Sequence, residues 1–529
     1  MYLDVCECLS SSLEVVEING FRGTLNEHLL LKYLIFRGFV LKKSSINTLK
    51  DDSGRTVESD CRQMAELLIN SLPIELLITI VSLLPFKEAV RTSVLSKKWL
   101  ELNVCKFTKN IEFDELFFVK PDQPNETREI QRRTFLDFIN LWIENYKGTL
   151  VEKFSFRLSN PRNGGEIIDQ CVAFATECEV KELELDFADP NWNENNIYYG
   201  NYEEALFKLP ARVYQHGSLE SLKLYSCSFV ETEVLNFHAL KEVSLGWMEV
   251  RLSAIKALLS NCNMLESLSF KRCWNSDKFD LGEEEHTGLR KLVLDKCRFE
   301  FDVFKVNAPD LKIFQYCGLM NFFITEIHSP AMEEANIDFS PEYGFEGLGH
   351  PLYNLVENLF IVRVLTVCSF VLQVIPTGPE LLGFQSGMLV QHLILKTALH
   401  KNEFLGITFF LNSCTMLECL TIDLCSEKDL FDYEAPFVFN RKRFWSDNVG
   451  VYESLSLSLE VVEINGFSGT ENELLVLMYF IANGDMLKRI SINMLEDDSG
   501  RTMEPQIREN AEFLLTVPRA STNLEISIC

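Results

Sequence analysis

The sequence predicts an α/β protein: a solenoid of short repeats, preceded by a short all-helical segment and closed by a strand–helix–strand unit with a partial N-terminal copy. Three observations carry this prediction. Leucine-rich segments recur in one frame at steps of 21 to 25 residues, starting at 219, 240, 265, 289, 311 and at Met332. The decapeptide SLEVVEINGF begins at Ser12 and again at Ser458. Between the first copy and the repeats lies a segment with helical apolar spacing.

Composition and charge argue against several classes of protein. The 529 residues carry a formal net charge of -27, whereas proteins that bind nucleic acid present a basic face. No stretch approaches the roughly 18 apolar residues of a membrane span. The 16 cysteines lack metal-ligand spacing, and no secretory signal is visible at the start. We therefore expect a cytoplasmic or nuclear protein with reduced thiols, no metal, no cofactor, no nucleic-acid partner and no membrane contact.

Motifs of catalysis are missing from the sequence. There is no phosphate loop of the GxxxxGK[ST] type, no HExxH and no GxSxG. The eight histidines are scattered, and the run Glu283-Glu284-Glu285-His286 is interpreted as a solvated turn within the repeats. The sequence therefore predicts no catalytic residue.

The duplicated unit occupies both ends of the chain, with a constant offset of 446 residues between the copies. Each copy predicts a strand, a helix and a second strand. In the C-terminal copy, Thr470 and Glu473 have the spacing of a capping box, and Gly484 lies where a left-handed C-cap is expected. We assign residues 1–68 to the partial N-terminal copy and residues 441–529 to the complete C-terminal unit.

Residues 69–115 predict a short helical unit. Pro73 suits the first turn of a helix because its missing N–H costs nothing there. Leucines and an isoleucine follow at helical spacing, Pro85 ends that helix, and a second apolar face follows. The apolar and boundary residues that define this unit are Leu72, Pro73, Leu76, Leu77, Ile80, Leu83, Leu84, Pro85, Val90, Val94, Leu95 and Trp99.

Residues 116–440 predict an array of leucine-rich repeats. The frame L-x-x-L-x-L-x-x-C occurs at 219–227 and 289–297, and with phenylalanine at the third apolar position at 265–273. The period lies within the roughly 20–29 residues of such repeats, whose apolar residues are buried only when neighbours stack. The frame cysteines are expected to be buried in the turns. The array should reach about residue 425, with an irregular stretch near 340–385.

The residues between the leucines are expected to face the open, concave side of the solenoid. They form a mixed polar surface suited to protein recognition, although a small ligand remains an alternative. The candidate target-binding residues are Ser221, Lys223, Tyr225, Glu242, Ser244, Ser267, Ser269, Lys271, Lys291 and Asp295.

The segment 69–115 resembles an F-box, because it has the leucine–proline start, the L-P break and the run A-V-x-T-S-V-L-S-K-x-W. The C-terminal unit, which ends V-P-R-A-S before its last strand, resembles the FBD domain. With that order the chain resembles the plant F-box/FBD/leucine-rich-repeat protein family. The resemblance implies a non-catalytic substrate-recognition subunit of an SCF-type cullin ubiquitin ligase. The twelve residues of the helical unit would then dock on a Skp-family adaptor, and through it a cullin, while the repeats bind an unknown target protein.

Two alternatives stay open at the level of sequence. The chain could be a non-ligase leucine-rich-repeat interaction scaffold whose F-box does not dock. The N-terminal copy, which precedes the F-box where the family has nothing like it, could come from fusion with the tail of a tandem neighbour, real or an error in the gene model, or it could be a functional second cap.

Overall fold

A computed structural model of the protein describes most of the repeats and parts of the preceding segments. The chain divides into two compact units, 1–111 with 147–150, and 112–146 with 151–529. The described residues are 15–21, 43–48, 73–82, 84, 86–91, 108–120, 122–146, 151–159, 161, 164–189, 207–229, 236–275, 277–320, 322, 324–339, 347–424, 437, 440–447, 452–495 and 505–529.

The first unit holds a two-stranded parallel sheet and a pair of helices. Strand β1 (Val15–Phe21) pairs with β2 (Lys43–Thr48), and the register shifts near the end of the pair. The helix predicted between these strands lies outside the described residues. The helical pair consists of α1 (Ile74–Ser82) and α2 (Phe86–Arg91).

The rest of the chain contributes the remaining strands and helices. The strands are β3 (Asn110–Asp114), β4 (Lys153–Arg157), β5 (Glu182–Asp186), β6 (Phe207–Lys208), β7 (Ser221–Tyr225), β8 (Cys227–Ser228), β9 (Glu242–Gly246), β10 (Ser267–Lys271), β11 (Lys291–Asp295), β12 (Phe304–Asn307), β13 (Ile313–Gly318), β14 (Thr325–His328), β15 (Glu334–Phe339), β16 (Val364–Cys368), β17 (His392–Thr397), β18 (Cys419–Leu424), β19 (Val461–Phe467), β20 (Arg489–Met494) and β21 (Glu525–Ile528). The helices are α3 (Asn125–Asn145), α4 (Gly165–Glu177), α5 (Leu252–Asn261), α6 (Gly349–Glu357), α7 (Ser369–Val374), α8 (Phe404–Ser413), α9 (Arg441–Asp447), α10 (Glu453–Leu457), α11 (Glu471–Asn483) and α12 (Pro505–Phe513).

Fifteen of these strands form one sheet whose order follows the chain. From β3 to β21 the sheet omits only β6, β8, β12 and β14, which pair in two small sheets of their own. Each pairing with a described register in the long sheet is parallel. Neighbouring parallel strands in chain order are what stacked repeats produce. The predicted leucine-rich-repeat solenoid is therefore confirmed.

Alternation along the strands places the frame leucines inside. Leu222 and Leu224 of β7, Leu268 of β10, and Leu292 and Leu294 of β11 are at most 1% exposed. Side chains on a strand point to opposite faces in turn, so every second residue enters the core. The predicted burial of these five leucines, and with it the register of the repeats, is confirmed.

The long sheet continues through both ends of the predicted array. Strand β3 is already part of the sheet, although it lies within the segment 69–115. At the other end β19 pairs with β18, with Cys419 opposite Val461, and β20 and β21 follow. The C-terminal unit thus extends the last repeat of the array. The boundaries of the four assigned segments themselves stay predictions.

The stretch that reads as irregular in sequence is a regular part of the sheet. Strand β16 pairs with β15 and β17 in the common register, and α6 and α7 lie on either side of it in the chain. Many apolar residues here lie on helices instead of strands. Leu352 and Leu355 on α6, and Val371 and Leu372 on α7, are fully buried. Helical apolar spacing obscures the strand frame in the sequence, and the expected irregularity is wrong for the described residues.

Two local predictions in the C-terminal unit need correction. The Thr470 Oγ1 accepts from the N–H of Glu473 at 3.4 Å, but the Glu473 carboxylate accepts from the N–H groups of Ser468 and Gly469, at 2.9 and 2.8 Å. Gly484 is not left-handed: its φ is -89°. A side chain there would lie 2.3 Å from a methyl group of Leu487. Close packing, and not backbone handedness, therefore favours glycine at this position.

Candidate functional site

The helical pair is held together by a small core of its own. Leu77 and Val81 of α1 pack with Ala89 of α2, all fully buried, and Leu84 packs against them. The carbonyl of Pro73 accepts from the N–H groups of the third and fourth residues after it, at 3.1 and 3.2 Å, and so opens α1. The prolyl residue thus begins the helix as its fixed φ allows.

The predicted adaptor-binding residues divide into three groups. Pro73 is exposed, whereas Leu76, Leu84 and Val90 are partly buried, so these four have surface to offer a partner. Leu77 is a correction, because it lies in the core of the pair and is not available to a partner. The side chains that lie outside the described residues are those of Leu72, Ile80, Leu83, Pro85, Val94, Leu95 and Trp99.

Sequence reasoning missed one apolar residue of this unit. Ile74 opens α1 directly after Pro73 and is 40% exposed. An apolar side chain in the first turn of a helix has few neighbours from preceding turns to cover it. Its place beside Pro73 is the signal that could have identified it.

The outward face of the long sheet, which the predicted solenoid makes the concave face and which keeps that name here, carries the predicted target-binding residues on adjacent strands. Lys271 is exposed, and the predicted residues with intermediate exposure are Lys223, Tyr225, Glu242, Ser267, Ser269, Lys291 and Asp295. Strands β7, β9, β10 and β11 are successive neighbours, and their outward side chains form three parallel rows. Whether they bind a target stays a prediction.

Two of the predicted residues are buried, which corrects the expected exposure. Ser221 donates to Glu242 Oε2 at 3.2 Å, and Ser244 Oγ lies 3.2 Å from the hydroxyl of Tyr225. The two serines are 9% and 8% exposed. Longer side chains on the neighbouring strands cover them, because neighbouring strands of a sheet lie only about 4.8 Å apart.

The carboxyl ends of the first strands carry a charged cluster. The guanidinium of Arg157 bonds Asp186 at 2.9 Å and Asp114 at 3.0 Å. Burial alone would lower the pKa of Arg157, but these two carboxylates raise it. Next to this group Arg132 pairs with Glu115 at 2.8 Å. The charges fix the first strand ends relative to one another.

A cavity of about 290 Å³ opens at the same edge of the sheet. Its far wall is formed by Trp247 and Arg272, whose guanidinium lies 5.2 Å from the centroid of the indole. The cavity is lined by Glu115, Leu116, Arg157, Ser159, Asp186, Ala188, Asp189, Trp247 and Arg272. Its mixed charges and aromatic wall suit a polar segment of a partner better than an apolar ligand.

Left-handed residues follow four neighbouring strands at the same register. Ser226, Trp247, Arg272 and Lys296 have φ between 51° and 56°, and Gly318, the last residue of β13, takes the equivalent place beside β11. The N–H of each of the four donates to a carbonyl of the last two residues of the next strand, at 2.6 to 2.9 Å. These turns lead into buried thiols: Cys227, Cys273 and Cys297 are at most 7% exposed, which confirms their predicted burial.

The second half of the concave face also presents candidate residues that the sequence frame missed. There His392 Nε2 lies 2.8 Å from Thr421 Oγ1, and Lys396 bonds Asp338 at 2.9 Å across the intervening strand. Burial lowers the pKa of His392. The leucine frame degenerates in these repeats, so only the strand pairing identifies their outward positions.

The described part of the chain holds neither a candidate membrane helix nor a candidate metal site. There, no helix is long and apolar enough to cross a membrane. Likewise, no three His, Cys, Asp or Glu side chains among the residues described come together as metal ligands.

Comparison with protein families gives three matches. The family model described as "At1g61320/AtMIF1, LRR domain" matches residues 143–522, the F-box domain model matches residues 69–102, and the FBD model matches residues 3–46. The FBD match falls on the N-terminal copy, whereas the C-terminal copy lies mostly inside the leucine-rich-repeat match.

Relatives from Arabidopsis thaliana align over most of the chain. A protein named for an F-box and leucine-rich repeats, At1g56400, is 31% identical over 84% of this chain and 94% of its own length. The F-box protein At3g62230 is 32% identical over 83% of this chain and 92% of its own. The FBD-associated F-box protein At1g66310 is 26% identical over 87% of this chain and 95% of its own length. The chain therefore belongs to the plant F-box proteins that carry leucine-rich repeats.

Proposed function

We propose that this protein is the substrate-recognition subunit of an SCF-type cullin ubiquitin ligase, non-catalytic itself, and located in the cytoplasm or nucleus. The observation that carries the proposal is the combination of an F-box and a leucine-rich-repeat solenoid in one chain. The first would dock on a Skp-family adaptor, and the second would hold the target protein for ubiquitin transfer by other subunits.

The docking part rests on the surface of the helical pair. Because Leu77, Val81 and Ala89 hold α1 and α2 together, the neighbouring apolar residues remain at the surface. Ile74 and Pro73 are exposed, and Leu76 and Val90 are partly so. A patch of this kind suits the apolar core of a protein interface.

The target-binding part rests on the chemistry of the concave face. Outward residues from β7 to β11 include lysines, acids, serines and one tyrosine, and no large apolar patch interrupts them. Such a surface suits a polar partner with hydrogen bonds and charges of its own. It also suits a protein better than a nucleic acid, since the chain is strongly acidic.

Adaptor binding is the first test. In a quantitative pull-down with a purified Skp-family adaptor, replacement of Leu72 and Pro73 together by alanine is expected to weaken binding about tenfold or more. Thr79→Ala is the matched control, because Thr79 is an exposed residue of α1 outside the predicted interface. Unchanged binding by the folded double variant would favour the alternative, an interaction scaffold whose F-box does not dock.

Target recruitment is the second test. Proximity labelling with and without proteasome inhibition should identify proteins that accumulate near the chain only when degradation is blocked. The double variant Lys271→Glu with Lys291→Glu, on the concave face, should lose these proteins. The control is Lys278→Glu, which also reverses the charge of a lysine. The Lys278 side chain is 66% exposed and pairs with Asp302, away from the long sheet. This control variant should still be labelled together with the same proteins.

A further inference from the structure

A row of exposed apolar side chains lies outside both proposed contact regions, at the edge where the strands begin. We call it the apolar row: Phe360, Leu389, Met416, Leu457 and Met486. Each precedes the first paired residue of its strand, β16 to β20, by three or four positions. They are 41% to 63% exposed, although large apolar side chains elsewhere in these repeats are mostly buried.

The pairing of the strands makes the row continuous. Val364, His392, Cys419 and Val461 are successive partners across β16 to β19, and β20 follows in the same register. The N–H of Leu389 donates to the carbonyl of Phe360 at 2.8 Å. At roughly 4.8 Å for each strand, five neighbours span about 19 Å.

The equivalent positions of earlier repeats show that the row is local. Before β11, β13 and β15 these positions hold Gly288, Asp310 and Ala331. Met264, before β10, is 50% exposed but has no large apolar neighbour at the equivalent place on either side. A contiguous exposed apolar surface marks an interaction site, whereas a single exposed residue does not.

Acidic residues lie beside the row. Glu357, Glu418 and Asp485 are exposed and are within three residues of a member of the row. The backbone N–H of Phe360 donates to the carbonyl of Glu357 at 3.2 Å, so this acid lies one turn away. By the same measure the exposed bases near the row are Arg363, Lys488 and Arg489. Lys488 is paired with Glu460 at 2.7 Å and Arg489 with Glu463 at 3.4 Å. An apolar line flanked by carboxylates complements apolar residues flanked by bases.

We propose that the apolar row binds an amphipathic helix of a partner protein, with apolar residues on one face and lysine or arginine beside them. The pitch of an α-helix, 5.4 Å, is close to the spacing of strands, so residues one turn apart can meet successive repeats. A helix of about four turns covers the row. The carboxylates repel an anionic membrane surface, and they also repel a second copy of this acidic chain.

The test uses a labelled synthetic peptide that forms an amphipathic helix of about 18 residues, with leucines on one face and lysines beside them. Its binding to the full chain is followed by fluorescence anisotropy. The double variant Leu389→Ser with Met416→Ser should weaken binding about tenfold. Met264→Ser should leave it unchanged, although it removes an equally exposed methionine at the same register.

Two control peptides distinguish recognition of an apolar helix face from binding by charge alone. A peptide with the same residues in scrambled order, and one with glutamates in place of the lysines, should both bind at least about tenfold more weakly. Equal binding of the scrambled peptide would reduce the interaction to charge and overturn the proposal. An equal loss of peptide binding in Met264→Ser would overturn it as well. So would self-association of the chain that the double variant abolishes, or binding of the row to vesicles containing phosphatidylserine.

Discussion

Glu403 is a fully buried carboxylic acid in the 3₁₀ turn that precedes α8. Its Oε2 accepts from the N–H of His400 at 2.6 Å and so caps the turn. Burial raises the pKa of Glu403 to about 7, and hydrogen bonds from Ser369 and the backbone oppose that rise only in part. The proton on this side chain therefore contributes to stability in acid, and the contribution falls as the pH rises towards neutral.

Glu403→Gln tests this contribution. Because the pKa of Glu403 is raised in the folded state, its contribution is complete below pH 4.5 and is lost as the pH rises to about 7. The wild type should lose about 3 kcal/mol more of unfolding free energy than the variant between pH 4.5 and 8, since one pH unit corresponds to about 1.4 kcal/mol. Glutamine keeps an acceptor for the His400 N–H but does not titrate. Urea unfolding at several pH values measures the difference, and parallel curves for the two proteins would contradict the assignment.

Lys296 illustrates the cost of the left-handed turns. Its φ is 53°, and a non-glycine residue there costs roughly 1–2 kcal/mol. Lys296→Gly should therefore raise the unfolding free energy by up to about 1 kcal/mol, since glycine also gives up some entropy on folding. Lys291→Gly, in the regular strand β11, should lower it. The natural Gly318 at the equivalent register supports this expectation, and a loss of stability in Lys296→Gly equal to that in Lys291→Gly would refute it.

At the scale of elements, α7 and α8 approach each other more closely than side chains allow. A Cβ at Gly406 would lie 2.0 Å from the backbone oxygen of Leu372 and 2.5 Å from its Cα. Backbone atoms cannot move aside as a flexible side chain can. The helices behind β16 and β17 therefore depend on a single glycine for their spacing.

Gly406→Ala should consequently destabilise the repeats by at least about 1–3 kcal/mol, as overpacking does. Gly165→Ala is the matched control, because Gly165 opens α4 and a Cβ there has nothing within 4 Å. Alanine should be neutral or stabilising at that position, since it forms helix better than glycine. Thermal unfolding of the two variants side by side gives the comparison, and equal midpoints would mean that α7 and α8 can separate at little cost.

At the scale of the whole molecule, the long sheet includes the C-terminal copy of the duplicated unit but not the N-terminal one. The C-terminal copy supplies β19 to β21, and β1 pairs only with β2 among the described strands. The two copies have the same internal register, including the shift between Asn465 and Phe467 and its counterpart between Asn19 and Phe21. The same local structure thus occurs in two different settings.

Removal of residues 1–60 tests whether the N-terminal copy is needed. A chain that starts near Met64 should fold, bind the adaptor and unfold at nearly the same temperature as the full chain, because the long sheet contains neither β1 nor β2. Calorimetry and the adaptor pull-down measure the two properties. A large fall in the unfolding temperature would support a functional second cap over an origin by fusion.

The sequence by itself determined the repeat architecture, the inward register of the leucines and the family. These follow from local periodicity, since successive side chains of a strand point to opposite faces whatever its neighbours are. The burial of Leu292 and of the frame cysteines could therefore be predicted from spacing alone. The helical pair was recognisable for the same reason, from its prolines and its helical apolar spacing.

Only the tertiary structure decided which outward residues are available and which repeats are neighbours. Ser221 and Ser244 are covered by side chains from adjacent strands, and Leu77 is covered by the second helix of its pair. The apolar row also becomes visible only when β16 to β20 are placed side by side, because its successive members are 27 to 41 residues apart in sequence. Exposure depends on contacts between repeats, and a frame within one repeat does not contain that information.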